Sequence, residues 1–249
     1  MTTRNRLRSL FTLVMLNGVI PIRSQPLYLV NLLGSPLSFL FFIDVISQGR
    51  LVAYGITGGL VLLMLSSGTG LQSDLTHYRH DLKFQDVVVA SPVEAPVYVA
   101  GMALSELVYS FPGIGVFIFL FIVKGYASPL GAVVVGGVLL LVWCFATALA
   151  FTLATYFEDV RETFMFSPMI SLLLTVLPPV YYPLSQLPPW AQLVARFSPT
   201  TYAANLVQGV SIPGHTIALG AAALDWAVLG SVTVALFLIA AFKARWKEP

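Results

Sequence analysis

Long apolar runs leave this chain few possible folds. Stretches dominated by Leu, Val, Ala and Phe approach or exceed the ~20 residues that an α-helix needs to cross ~30 Å of hydrocarbon. Only 10% of the residues are charged, whereas about a quarter would be charged in a soluble protein of this size. The mean hydropathy of +0.86 agrees with this pattern. The sequence therefore predicts an all-α integral membrane protein.

The apolar runs divide the chain into six predicted membrane spans, at residues 27–46, 51–71, 97–123, 130–157, 164–182 and 218–242. We expect a single transmembrane domain over residues 1–249. Its successive parts are an interfacial helix (1–26), spans one and two (27–71), a cytoplasmic loop (72–96), spans three and four (97–157), a loop with span five (158–182), outer-face helices (183–217), and span six with the tail (218–249).

The first 26 residues carry four arginines, no acid and an apolar run, 10–16, that is too short to cross a bilayer. This pattern predicts an amphipathic helix lying in the membrane interface, in contact with lipid. A simple basic anchor is the alternative. Across the chain, ten of the 13 Lys and Arg residues fall on the side of both termini under this topology, leaving Arg50, Lys124 and Arg196 on the other. The positive-inside rule then predicts a multi-pass protein of the cell membrane with both termini in the cytoplasm.

The stretch 72–96 is the most charged part of the chain, with Asp74, His77, Arg79, His80, Asp81, Lys83, Asp86 and Glu94. Each charge costs ~2.5–3.5 kcal/mol at the bilayer centre, so we expect this stretch outside the hydrocarbon. Leu82, Val87 and Val88 add an apolar side, which favours a short helix closed by Ser91 and Pro92. The pattern predicts a docking element on the membrane surface.

Residues 183–217 are amphipathic and rich in proline and aromatic side chains. Ser198, Pro199 and Thr200 are typical of a helix start, with serine as the cap and proline in the first turn. We expect two short re-entrant helices that dip into, or lie on, the outer face. The single cysteine, Cys144, allows no intrachain disulfide and suits a small buried apolar position.

Glu106 lies about ten residues into the third predicted span, with Tyr109 one turn further on. An ionisable residue at this depth usually faces a bundle interior, a cavity or a partner. Glu106 and Tyr109 are therefore candidates for a transport path. The alternative is a structural hydrogen bond to another helix, for example to Asn17 or Arg23.

His77 and His80 are spaced one turn apart between Asp74 and Asp81. Two histidines on one turn do not make a metal site without further ligands fixed by the fold. We predict a solvated charged face and no metal.

Two motifs carry a resemblance to a known family. Leu187, Pro188, Pro189 and Trp190 precede the segment from Ser198 to Tyr202, and a Val-Val-Ala-Ser-Pro-Val pattern occupies residues 88–93. With the basic amphipathic start, this resembles the permease subunit of ABC-2-type transporters over most of the chain. The resemblance implies a half-transporter that pairs with a second permease subunit, either identical or related. Two separate ABC ATPase subunits would dock on the loop 72–96, which would contain the coupling helix.

The resemblance assigns ATPase docking to Arg79, Leu82, Lys83, Asp86, Val87, Val88, Ser91 and Pro92. None of the four lysines follows a glycine, so the chain has no phosphate-binding loop. ATP and Mg²⁺ would then bind the partner ATPase, with no cofactor and no catalytic residue in this chain. Nothing in the sequence indicates nucleic-acid binding. Export rather than import follows from the resemblance alone.

The predicted spans hold few charges, which argues against inorganic ions or strongly charged cargo. We expect an amphipathic, drug-like, lipid or lipid-linked substrate. The alternative function is an intramembrane lipid-modifying enzyme that uses Asp74, His77, His80 and Asp81. An ion-coupled transporter working alone would be expected to show paired intramembrane acids or repeated broken helices.

Overall fold

The computed structural model describes residues 3–24, 27–83, 93–157, 159–175 and 178–243, and the regular structure in these ranges is helical. A π-helical turn (Met15–Val19) lies between α1 and α2, and a 3₁₀ turn (Leu184–Gln186) precedes α8. The α-helices are α1 (Thr3–Val14), α2 (Ile20–Ser24), α3 (Tyr28–Ser47), α4 (Val52–His80), α5 (Ala95–Val123), α6 (Pro129–Ala154), α7 (Val160–Thr175), α8 (Pro189–Ala195), α9 (Pro199–Ser211) and α10 (Leu219–Lys243).

Four helices in the described ranges are long and apolar enough to cross a membrane: α4, α5, α6 and α10. Their length and composition follow directly from the apolar runs of the sequence. Helices α3 and α7 overlap the predicted first and fifth spans but are not among these four. The structure thus supports a helical membrane protein, and the count of six spans stays a prediction.

The helix ends meet at two faces of the bundle. On the first, which we name the α1 face, Leu13 of α1 packs beside Gly101 near the start of α5, and the end of α4 lies close by. On the opposite face, which we name the far face, Tyr54 at the start of α4 lies 3.4 Å from the ring of His215, just before α10. Helix α4 therefore extends from one face to the other.

Helix α4 is the centre of the packing. It contacts α3, α5, α6, α7 and α9, and its middle is lined by fully buried Leu60, Val61 and Leu65. It approaches α6 closely at Gly68, which lies against the Ala146 side chain and the Trp143 carbonyl group. The absence of a side chain at Gly68 is what lets the two backbones come this near, as in other membrane helix pairs.

The far face is built from α8, α9 and the start of α10. Helix α9 begins at Pro199 with Ser198 in the N-cap position, which confirms the helix start predicted from the sequence. The Ser198 hydroxyl bonds to the Thr200 hydroxyl (2.8 Å) instead of capping the backbone. Thr200 in turn donates to the Leu174 carbonyl group (2.6 Å), which joins α9 to the end of α7.

Candidate functional site

The charged stretch 72–96 begins as helix and not as loop. Helix α4 continues unbroken to His80, about nine residues past residue 71, where the second span is predicted to end. The reason is burial, because Leu71 and Leu75 pack with Leu13 and Met102 in a second small core. One face of the extension is thus held by α1 and α5, while His77 and Asp81 lie on an exposed face.

The predicted docking residues lie at the end of this extension, on the α1 face. Arg79 is in the last turn of α4, and Leu82 follows with 57% of its surface exposed. Lys83 has φ +49°, a left-handed conformation that turns the chain away from the helix. Asp86, Val87, Val88, Ser91 and Pro92 lie outside the described residues, so their predicted docking role stays a prediction.

Arg6 of α1 binds Glu94, the residue just before α5, with a nitrogen–oxygen distance of 2.7 Å. The hydrogen bond from Arg6 lowers the pKa of Glu94 below its usual value of 4.5, and the arginine charge acts in the same direction. A carboxyl group whose pKa is lowered by folding stabilises the folded state at pH values above its usual pKa. The contribution is lost as the pH falls through the folded-state pKa. The pair fastens α1 to the chain where it leaves the docking stretch.

Glu106 on α5 is hydrogen-bonded to Asp74 on α4. Gly70 makes room for it, because a Cβ there would lie 2.5 Å from Glu106 Oε2. The sequence suggested Asn17 or Arg23 as a hydrogen-bond partner for Glu106. The partner in the structure is instead Asp74, which was expected in the loop.

Asn17, in the π-helical turn, joins α4 to α5. Its Oδ1 accepts a hydrogen bond from the Tyr78 hydroxyl at 2.8 Å, and its Nδ2 lies 3.4 Å from Met102 Sδ. π-helical turns are rare and occur frequently at functional sites. Tyr109, the other path candidate, is half-buried one turn beyond Glu106, and its hydroxyl group is enclosed.

Helix α7 is attached to the same part of α4 by buried polar groups. The Thr163 hydroxyl donates to the Thr76 hydroxyl at 3.2 Å, and the Ser167 hydroxyl donates to Gln72 Oε1 at 3.3 Å. These contacts continue the polar line that crosses from the π-helical turn through α5 and α4. We name it the polar seam; its members are Asn17, Gln72, Asp74, Thr76, Tyr78, Glu106, Thr163 and Ser167.

The residues of the alternative enzyme site do not share one set of contacts, because Asp74 is separated from the His77–Asp81 pair. His77 Nδ1 lies 2.7 Å from Asp81 Oδ2, and both side chains are about half exposed (47% and 51%). Asp74 instead faces Glu106. Within the described ranges, no three His, Cys, Asp or Glu side chains are grouped to hold a metal ion.

Most of the polar seam was not predicted from the sequence, although a signal was present. Leu71, Asp74, Leu75 and Tyr78 share the i, i+3, i+4, i+7 spacing of one helix face. Extending the α4 pattern past residue 71 would have placed Asp74 on the packed face. Thr163 and Ser167 carry no such signal, because their partners lie on a distant part of the chain.

Comparison with known families agrees with this helical arrangement. A family model described as ABC-2 type transporter matches residues 10–211, which include the π-helical turn, the polar seam and the far-face helices up to the end of α9. No curated protein matches the chain.

Proposed function

Because the chain belongs to the ABC-2 type transporter family, we propose that it is the permease subunit of an ATP-driven exporter. Permeases of this family generally work with an ABC ATPase partner. In our proposal two ATPase subunits bind ATP and Mg²⁺, and a second permease subunit, identical or related, completes the path. The family match over 202 residues, 10–211, is the observation that carries the proposal.

We place the ATPase contact at the end of α4 and the residues that follow it. Exposed Leu82, with Arg79, Asp81 and Lys83 near it in the chain, offers an apolar contact among charged side chains. With Val87 and Val88 of the following stretch, Leu82 would form an apolar patch, which favours a protein partner. Asp86, Val87, Val88, Ser91 and Pro92 would complete the surface.

The polar seam would carry movement from the ATPase to the spans. Asp74 and Glu106 connect α4 to α5, Thr163 and Ser167 connect α4 to α7, and Arg6 connects α1 to the start of α5. Hydrogen bonds impose direction and distance, whereas apolar contacts slide more easily. A displacement at Leu82 would then move several helices together.

The cargo in this proposal is amphipathic: a drug-like compound, a lipid or a lipid-linked molecule. The membrane-crossing helices carry few charges to receive an ionic solute. The proposal also includes six spans, with α3 and α7 as the first and fifth, and both termini in the cytoplasm. ATP hydrolysis belongs to the partner chain.

Co-purification tests the proposal directly. The tagged chain is isolated from membranes together with an ABC ATPase, and ATP hydrolysis is measured with and without the chain. A triple variant, Asp86→Lys with Val87→Ser and Val88→Ser, is expected to lose the ATPase. Glu162→Lys, an exposed charge reversal in the first turn of α7, is the matched control and is expected to retain it.

The result has three clear outcomes. Loss of the ATPase from the triple variant, with thermal stability unchanged, supports docking at the coupling helix. If the unmodified chain purifies without any ATPase, the exporter proposal fails. If the triple variant keeps its ATPase, the docking surface is elsewhere.

A further inference from the structure

A cavity of about 330 Å³ lies on the far face, between α9 and the start of α10. Its wall includes one basic side chain, Arg196, and one acidic side chain, Asp225. Both line the same space, yet they do not form an ion pair with each other. Opposite charges held apart in one cavity are an arrangement that a ligand with both charges can bridge.

Asp225 lies at the base of the cavity, with only 6% of its surface exposed. Asn205 Nδ2 donates to its Oδ2 at 2.6 Å, and none of the described Lys, Arg or His side chains pairs with it. Asn205 is itself positioned by His215, whose Nε2 lies 3.5 Å from Asn205 Oδ1. The other ring nitrogen of His215, Nδ1, lies 3.4 Å from the Tyr54 hydroxyl oxygen. A buried carboxylate with a neutral partner alone has its charge uncompensated.

Arg196 stands at the rim. It follows α8, its side chain is exposed, and its carbonyl oxygen accepts the Tyr202 hydroxyl at 2.7 Å. Gln208 completes the polar wall at 3% exposure. Its amide nitrogen already donates to the Val180 carbonyl at 3.0 Å, so its oxygen remains as an acceptor. The cavity thus has acceptors inside and a guanidinium group at its entrance.

We propose that this cavity binds a zwitterionic group in which a primary ammonium meets Asp225 and a phosphate meets Arg196. Arginine is suited to phosphate because its fork of N–H donors matches two phosphate oxygens. Asp225 lies six residues into α10 from Leu219, about 9 Å along the helix. The site is therefore close to a membrane boundary, where ethanolamine phosphate head groups are found. A soluble phosphoethanolamine ester carries the same chemistry.

A primary ammonium fits this wall better than a quaternary one. It has three N–H donors for the acceptors of Asp225 and Gln208, whereas a choline group has none. Losing hydrogen bonds to a charged group costs about 1.5–3 kcal/mol, which is about ten- to a hundredfold in affinity. Ethanolamine and choline esters of glycerophosphate therefore distinguish the proposed chemistry from general attraction to phosphate.

The test uses the purified full chain without any ATPase, so its outcome is independent of the exporter proposal. In phosphatidylglycerol nanodiscs, binding of glycerophosphoethanolamine and glycerophosphocholine is measured by calorimetry. In nanodiscs of mixed phosphatidylethanolamine and phosphatidylglycerol, retained lipid is identified by native mass spectrometry. The first arm detects a soluble ligand, and the second detects a membrane lipid.

The variants are Asp225→Asn and Arg196→Gln, with Asp44→Asn and Arg50→Gln as controls at the turn between α3 and α4. We expect binding in at least one arm, preference for ethanolamine over choline, and loss of about tenfold or more in each cavity variant. The controls are expected to bind as the unmodified chain does. Arg196→Gln changes an exposed side chain, so it keeps the test decisive if Asp225→Asn does not fold. Absence of binding in both arms, equal binding of choline, or full binding by Arg196→Gln would overturn the proposal.

Discussion

The contact between Asp74 and Glu106 gives a charged residue inside the helix bundle a specific partner. Glu106 belongs to a membrane-crossing helix, and Asp74 belongs to the charged extension of α4. Each would be costly to bury alone. Together they share a hydrogen bond, which holds α4 and α5 in one register. A role in holding helices therefore has a specific partner here, while a role on a transport path stays a proposal.

The hydrogen bond predicts different outcomes for two substitutions at position 106. Glu106→Gln keeps a donor for Asp74, so we expect little change in thermal stability. Glu106→Ala leaves Asp74 without this partner and should cost about 1–3 kcal/mol. Thermal unfolding in detergent, followed by tryptophan fluorescence, measures both.

Glu162→Ala is the control for these variants, because Glu162 is exposed at the start of α7. It is expected to unfold at the temperature of the unmodified chain. Equal destabilisation by Glu106→Gln and Glu106→Ala would mean that the hydrogen bond to Asp74 does not hold α4 against α5.

The contact between Glu106 and Asp74 was only half predictable from the sequence. Glu106 stood out because an acid inside an apolar run is conspicuous. Its partner did not, since charge counting assigned the whole stretch from 72 to 96 to water. The deciding fact is tertiary: Leu71 and Leu75 bury one face of the extension and carry Asp74 with them.

Helices α4 and α6 form a close pair, and the pairing depends on Gly68. A Cβ at this position would lie 2.9 Å from the Thr147 backbone nitrogen and 3.0 Å from the Trp143 carbonyl oxygen. Backbone atoms within a helix move only if the helix moves. The pair therefore tolerates no side chain at position 68 without separating.

Gly68→Ala is expected to destabilise the protein by about 1–3 kcal/mol through overpacking. Gly136→Ala is the matched control, because Gly136 is in α6 and has no atom within 4 Å of the position its Cβ would take. Alanine favours helix over glycine, so this control should be neutral or stabilise by up to about 1 kcal/mol. Unfolding temperatures of the two variants in detergent give the comparison.

A result with Gly68→Ala as stable as Gly136→Ala would contradict the close packing of α4 on α6.

Helix contacts of this kind were partly predictable from the sequence. The small residues of the second span were visible in the sequence, but the sequence does not say which neighbour each glycine faces. In the structure Gly55 faces Leu40 of α3, Gly59 faces Phe117 of α5, and Gly68 faces α6.

At the scale of the whole molecule, the apolar runs predicted the protein class, since run length is a local property that tertiary contacts do not alter. The far-face network was out of reach from the sequence. Asp225 lies near the start of the last predicted span in the sequence, but its contact with Asn205 depends on how α9 folds back. The side of the membrane that each face occupies rests on the distribution of Lys and Arg.

Cysteine labelling tests this topology. Cys144→Ala removes the only cysteine and provides a background for Lys83→Cys and Lys124→Cys, one at each face of the bundle. We expect a membrane-impermeant maleimide to label Lys124→Cys in intact cells and Lys83→Cys only after permeabilisation. Val138→Cys, which is fully buried, is the unlabelled control. Labelling of both lysine positions from one side would rule out the proposed orientation.

The uninterrupted length of α4 has a mechanical consequence. Its 29 residues, at ~1.5 Å each, make a rod of about 43 Å, longer than the ~30 Å of hydrocarbon. Helices α3, α5 and α7 each contain an internal proline, and α4 contains none. A stiff rod works as a lever: pivoting by about 10° at its midpoint displaces each tip by roughly 4 Å. A displacement of α4 near Leu82 would thus move the other end of the helix, beside Tyr54, by a comparable distance in the opposite direction.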